Sequence, residues 1–534
     1  MAILLPLTLG LVYIFLWLRK VGSREPGLPP GPPTLPLLGN LHIFPKEFAH
    51  YKFTEWARTY GGIYSLKVGP GTAIVLTDAA AVKELMDKRS GSTADRPPMH
   101  IVDVVTGGFH MVSRYSESWR TLRRTAHTIL TPQAAMKHVP IQAAEASQLL
   151  HDILCRPEGF YTHIRRFSSS VILSVLYGKR APRYETRETT AFFEVQHDWE
   201  ELMEPGSTPP IDLIPILKYI PERWAKWKQD CTKVRKMQRR LYFGLLDEMK
   251  ERVGRGEENG CFMEEILMRE VELGVNREMA GYLGGVLIEG GSDTTSSYLQ
   301  SLIMALVAYP DAQRKAQEEM DRVVGSHRMP TLDDLEEMPY IRAMIMETHR
   351  FRPVAPMLIP HCALNDEEYN GFIIPHGCTI FVNIWGIFHD PELYDDPENF
   401  IPERYLLSEN GTKPGISGSD LRPNLPFGAG RRICPGMHLA QNTININAMN
   451  FVWAFNFTAD TDAQGNPILL NTFDYQKGLL TGPRPFKCKI TPRSVEKAEI
   501  IEHEFLEAAD TFSKFEFGLS GEDKEFVMRS RVRR

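Results

Sequence analysis

The residues of this 534-residue chain predict a mainly α fold with a small β region, and three observations carry that prediction. Stretches near 190–204, 225–253, 276–308 and 311–323 repeat their apolar residues at the helical period. Short alternating runs occur only in two places far apart in sequence, near 63–76 and 355–383. No long linker, internal repeat or low-complexity tract divides the chain, so its length serves one large body with room for an internal cavity.

Taken in order, the first element is apolar. Ala2 to Leu18 carries no charge and is followed by Arg19, Lys20 and Arg24. The run is at the short end for a membrane-spanning helix. Its positive flank lies on the C-terminal side, and Trp17-Leu18-Arg19-Lys20 makes a poor cleavage site, which argues for a retained anchor over a secretory signal. The same flank puts the body in the cytosol. Residues 19–34 form a basic and proline-rich hinge, with Leu28-Pro29-Pro30-Gly31-Pro32-Pro33 as a stiff spacer. A globular domain is expected over 35–492, and a charged, solvated C-terminal extension over 493–534.

Within the domain, Ile63–Val68 and Ala73–Leu76 flank Gly69-Pro70-Gly71, a strand–turn–strand signal. The segment 276–308 reads as a long helix with Asn276 as its cap and Pro310 beyond its end. It holds five glycines: Gly281, Gly284, Gly285, Gly290 and Gly291. Each costs about 0.5–1 kcal/mol relative to alanine in a helix interior. Close packing accounts for the first three. Gly290 and Gly291 precede Asp293-Thr294, and a local widening of the helix is expected there. Glu347 and Arg350 are three apart on a helix that starts near Tyr340, hence on one face. Pro402-Glu403-Arg404-Tyr405 follows, and then Phe427-Gly428-Ala429-Gly430-Arg431-Arg432-Ile433-Cys434-Pro435-Gly436. Glycine lets such a turn approach a metal closely. A helix starting at Met437 directs its positive end at the sulfur.

These segments, in this order, resemble the cytochrome P-450 superfamily, of the microsomal, reductase-dependent type. The matches are F-x-x-G-x-R-x-C-x-G at 427–436, [AG]-G-x-[DE]-T at 290–294, E-x-x-R at 347–350 and P-E-R-[FY] at 402–405. The resemblance runs from about 28 to 492 and is similar in flavour to fungal secondary-metabolism members such as the O-methylsterigmatocystin oxidoreductase group. It implies haem b between the glycine-containing helix and the cysteine loop, with Cys434 as the iron's axial ligand. It further implies that Phe427 and Arg432 contact the haem, and that Trp119, Arg123, His361 and Arg96 meet its propionates. Asp293 and Thr294 would deliver protons during oxygen activation, while Glu347, Arg350 and Arg404 would form a structural charge network.

The function implied is insertion of one oxygen atom from O2 into a hydrophobic small molecule, in secondary-metabolite biosynthesis at the endoplasmic reticulum membrane. No G-x-G-x-x-G fingerprint is present, so electrons would come from NADPH through a separate flavoprotein reductase. Arg422, Arg431 and Arg124 are candidates to meet it. A net charge of −6 shows no basic excess for nucleic acid. Seven scattered cysteines without a C-x-x-C pair suggest neither zinc nor a disulfide framework. Two rival classes remain: a haem-thiolate isomerase or dehydratase, and a non-catalytic haem- or lipid-binding membrane protein. Neither has an evident use for an Asp-Thr pair beside two costly glycines.

Overall fold

Helices form where the apolar period places them. The computed structural model describes residues 20–204 and 206–532, so the expected anchor at 1–18 lies outside the described residues. Among those residues no helix is long and apolar enough to cross a membrane.

In chain order the elements that matter here begin with α1 (Ala49–Tyr60), β1 (Ile63–Val68), β2 (Gly71–Leu76), α2 (His100–Thr106) and α3 (Glu117–Ile129). Then come α4 (Val139–Cys155), α5 (Phe160–Tyr177), α6 (Arg187–Met203), α7 (Lys226–Gly254), α8 (Arg277–Ala308), α9 (Pro310–Val323) and α10 (Pro339–Phe351). Strands β3 (His361–Cys362), β4 (Glu367–Tyr369), β5 (Phe372–Ile374) and β6 (Thr379–Val382) precede α11 (Met437–Ala454). The chain ends with β7 (Phe455–Ala459), β8 (Cys488–Pro492), α12 (Val495–Glu507), α13 (Ala509–Ser513) and α14 (Gly521–Ser530).

The main sheet runs β1-β2-β6-β3. Its parallel β2–β6 pairing sets Ala73 opposite Thr379, joining the two distant alternating segments. Helix α8 is the axis of the α body. Its most extensive neighbour is α5, with α7, α10 and α11 around it. The Asn276 side chain accepts from the Met279 N–H at 3.0 Å and starts α8 as expected. Three of its glycines are close-packing positions. A Cβ at Gly281 would strike the Phe243 ring, at Gly284 the Tyr177 hydroxyl, and at Gly285 the Tyr242 ring.

Two sequence expectations change. The proline-rich hinge lies along β1: the Ser65 N–H donates to the Pro30 carbonyl at 2.7 Å, and Arg24 donates to the Pro32 carbonyl at 2.8 Å. The C-terminal extension is not a solvated tail. Ile501 and Phe512 are fully buried and Phe505 nearly so, with α12 packed on α4. Buried Arg180 donates to Glu516 at 2.8 Å, and Arg183 donates to Asp523 at 2.6 Å. The many charges of this segment hid an apolar stripe at helical spacing.

Candidate active site

The cysteine loop is held from below by a carboxylate. The Gly430 N–H donates to Asp87 at 2.8 Å, and Arg422 donates to both Asp87 oxygens at 3.0 Å. Gly430 has φ 55°, and a Cβ there would collide with the Met86 carbonyl, so only glycine fits. The Cys434 N–H donates to the Phe427 carbonyl at 2.7 Å and closes the turn. Phe427 meets half-buried His349 of α10 edge to face, centroids 5.4 Å apart. Burial pushes the Cys434 thiol up, while the Gly436 backbone N–H and Arg123 pull it down. A metal coordinated there would hold the sulfur as a thiolate. Cys434 itself is a free cysteine.

Beneath the loop Glu347, Arg350 and Arg404 come together as expected. Arg350 donates to Glu347 at 2.7 and 2.8 Å, and to the carbonyls of Phe388, Pro397 and Asn399. Arg404 reaches Glu347 at 3.2 Å and the Asp395 carbonyl at 2.9 Å. Burial works against the Arg350 charge, yet Glu347 more than offsets it and raises its pKa.

On the other side of Cys434 lies a second buried charge cluster of different character. Arg96, Arg123, Arg432 and His361 are all buried. Arg432 lies 3.7 Å from the Trp119 ring centroid and donates to the carbonyls of Ala94 (2.7 Å) and Met111 (2.9 Å). Arg96 donates to the Pro360 carbonyl at 2.8 Å, and Arg123 to that of Ile433. The nearest carboxylate, Asp95, is taken by Arg114 at 2.8 Å and by the Tyr115 N–H at 2.6 Å. Burial lowers Arg432 to about 9, with Arg123 adding to the fall and Asp95 opposing it. Burial lowers Arg123 to about 10, and it drives Arg96 well below its ordinary value with Arg432 adding. Arg432 Nη2 and Arg96 Nε are buried without a partner among the described residues. Such a set of cations is costly unless an anion joins it. Haem fits that demand, because its two propionates would supply the missing acceptors beside a cysteine ligand. Trp119 spends its N–H on the Met111 carbonyl at 3.1 Å, so its part is the ring face under Arg432. Neutral His361 spends its donor on the Thr93 carbonyl at 2.8 Å, with its pKa lowered by burial and then by Arg96.

Above, α8 presents Gly290, Asp293 and Thr294. The expected widening is absent: the helix is α from Arg277 to Ala308. Gly291 is a packing glycine, its Cβ position 2.6 Å from Ile172 Cδ1. The opening comes instead from Gly290, where a Cβ would meet nothing within 4 Å. The Thr294 hydroxyl donates to the Gly290 carbonyl at 2.6 Å. Asp293 lies 3.8 Å from Arg165 of α5. Burial raises its carboxyl pKa, and Arg165 opposes that rise. Sequence reasoning missed Asp87, Asp95, Arg165 and His349. His349 fills a position that E-x-x-R leaves open, the others stand in no motif, and Asp87 and Arg165 have partners more than a hundred residues away.

A model of the cytochrome P450 family matches residues 29–490. A cytochrome P450 monooxygenase of Armillaria gallica is 47% identical over 515 residues, covering 96% of this chain and 98% of that protein. One from Arthrobotrys oligospora is 42% identical, covering 95% and 96%. A zebra fish cytochrome P450 structure with progesterone superimposes with TM-score 0.67 at 25% identity, over 83% of this chain and 99% of the other.

Proposed function

This chain belongs to the cytochrome P450 family and is a monooxygenase that carries haem b; on that premise we propose that Cys434 is the axial thiolate. The observation that carries this is the convergence on the Cys434 loop of three buried guanidinium groups, two of them, Arg96 and Arg432, with an N–H donor that has no partner among the described residues, which fit two propionates. Arg432, Arg123 and Arg96 would bind the propionates, with Trp119 backing Arg432. Phe427 and His349 would hold the loop against α10. When bound, the haem supplies dioxygen activation, which its thiolate ligand favours. Asp293 and Thr294 would move protons toward the groove at Gly290, Asp293 taking them up from the Arg165 side.

Cys434→Ser tests the ligand. The reduced carbon monoxide complex should lose its red-shifted Soret band, whereas Cys362→Ser and Cys378→Ser should keep it. An unchanged band in the Cys434 variant overturns the assignment.

The substrate is proposed to be a hydrophobic small molecule of fungal secondary metabolism, in line with fungal relatives and a neighbour solved with progesterone. A separate NADPH-dependent reductase would dock near exposed Arg124 and Arg431. Arg422, once a third candidate, is engaged by Asp87. Membrane attachment at the endoplasmic reticulum is proposed through residues 1–18. The apolar segment with Ile216, Tyr219 and Trp224 at 72%, 83% and 70% exposure would be a second contact.

A further inference from the structure

One buried carboxylate has no part in the proton route or the propionate cluster. Glu289 precedes Gly290 in α8 and is 8% exposed. His110, in the loop between α2 and α3, contacts its Oε2 at 2.9 Å. The Val112 N–H donates to the other ring nitrogen of His110 at 3.1 Å, so the Nε2–H is the one that donates to Glu289. From α7, the Tyr242 hydroxyl and the Gln238 amide donate to Oε1, Gln238 at 3.4 Å. Trp199 of α6 lies against the His110 ring, centroids 5.8 Å apart. Elements α6, α7 and α8 and one loop thus converge on a single carboxylate. Among the described residues no lysine or arginine pairs with it.

A helix cross-link does not require a buried carboxylate, and burying one is costly. A carboxylate has about four acceptor sites. Three are used, and the free one lies on Oε2. Fully buried Gln238 also has its Oε1 without a partner among the described residues. The cluster therefore holds two unused acceptors and adjoins Gly290, the open point of α8. The loop that carries His110 runs on to Met111, whose carbonyl takes the Trp119 and Arg432 donors. Glu289 is thus next to open Gly290 in sequence and is joined through the His110 loop to Met111, which serves the propionate cluster's donors. The complement of two unused acceptors is a hydrogen-bond donor such as a hydroxyl.

We propose that Glu289, held by His110, Tyr242 and Gln238, is a specificity-determining residue that accepts a hydrogen bond from a hydroxyl group on an otherwise apolar substrate. This rests on the haem monooxygenase reading. The carbon monoxide band is therefore recorded first in every variant, and its loss reports on the Cys434 site rather than on Glu289.

The test is a titration of the haem-loaded protein with 2-methylnaphthalene and with 2-naphthalenemethanol, reading the haem spin-state shift. The quantity compared is the ratio of the two dissociation constants, which cancels general changes in the pocket. Glu289→Gln removes the charge that strengthens the bond. It should shift the ratio against the alcohol by about tenfold, while affinity for the methyl compound changes less than twofold. Glu289→Asp, which shortens the reach, should shift the ratio in the same direction by at least about threefold, and stands in should the glutamine variant fail to load haem. A ratio unchanged within twofold, or an equal loss of both ligands, overturns the proposal and leaves Glu289 as a cross-link between helices.

Discussion

Two buried charge clusters flank the cysteine loop, and they are built on opposite principles. In the Glu347–Arg350–Arg404 network the glutamate sits between two arginines, and Arg350 also reaches three carbonyls. In the Arg96–Arg123–Arg432 cluster burial lowers every pKa, neighbouring cations lower those of Arg96 and Arg432 further, and among the described residues no carboxylate pairs with any of the three. The difference teaches where a ligand belongs. Cations that hold a carboxylate between them are part of the fold, whereas cations without one await an anion.

The largest expected effect would break the side that holds its own carboxylate. Arg350→Leu leaves Glu347 with Arg404 as its one cation and three buried carbonyls without their donor, and should cost about 3–5 kcal/mol. Thermal melting should show this loss with or without haem. If the variant melts like the wild type, the network is not structural.

Arg432→Leu sharpens the contrast. It removes a cation that has no carboxylate of its own, so melting of the haem-free chain should change by no more than about 1 kcal/mol. Haem should instead dissociate about ten- to a hundredfold faster, the worth of a lost charge-assisted bond. Haem transfer to an apo-globin acceptor measures this rate. A variant that melts as early as Arg350→Leu while keeping its haem would erase the distinction between the clusters.

The clusters were also legible to different degrees. The cysteine loop, the Asp-Thr pair and E-x-x-R are contiguous in sequence, so spacing alone brings their residues together. Arg96, Arg123, His361 and Arg432 come from four distant segments, and only the family resemblance grouped them. Nothing local marks Asp87, which serves a loop 343 residues on, or His110, whose Glu289 is 179 residues away. The tail was misread because its charge count outweighed the spacing of Ile501, Phe505 and Phe512. The widening at Gly290-Gly291 was misread because Ile172, which fills the Gly291 side, lies in another helix.

The smallest effect on stability concerns Asp293, which belongs to neither cluster but shares the second one's imbalance. The unfolded chain carries an ordinary aspartate at 3.8, whereas burial raises the folded carboxyl, and the lone opposing cation is Arg165 at 3.8 Å. Between those two values the unfolded state releases a proton that the folded state keeps. Rising pH through that window therefore destabilises the fold, and the cost is constant above it and absent below 3.8. Asp293→Asn cannot ionise in either state. Its melting temperature relative to wild type should climb through the window and then level off. The same change should reduce product formation about 10²-fold, the lower end of what positioned acid–base groups contribute. Thr294→Ala should lose product as well and divert reducing equivalents to hydrogen peroxide, yet it should leave the pH dependence of melting unchanged. A residue with only a packing role would move both properties together. Separation of the two, with Asp293→Asn altering the pH curve and Thr294→Ala leaving it in place, is what a proton donor beside a hydroxyl relay requires.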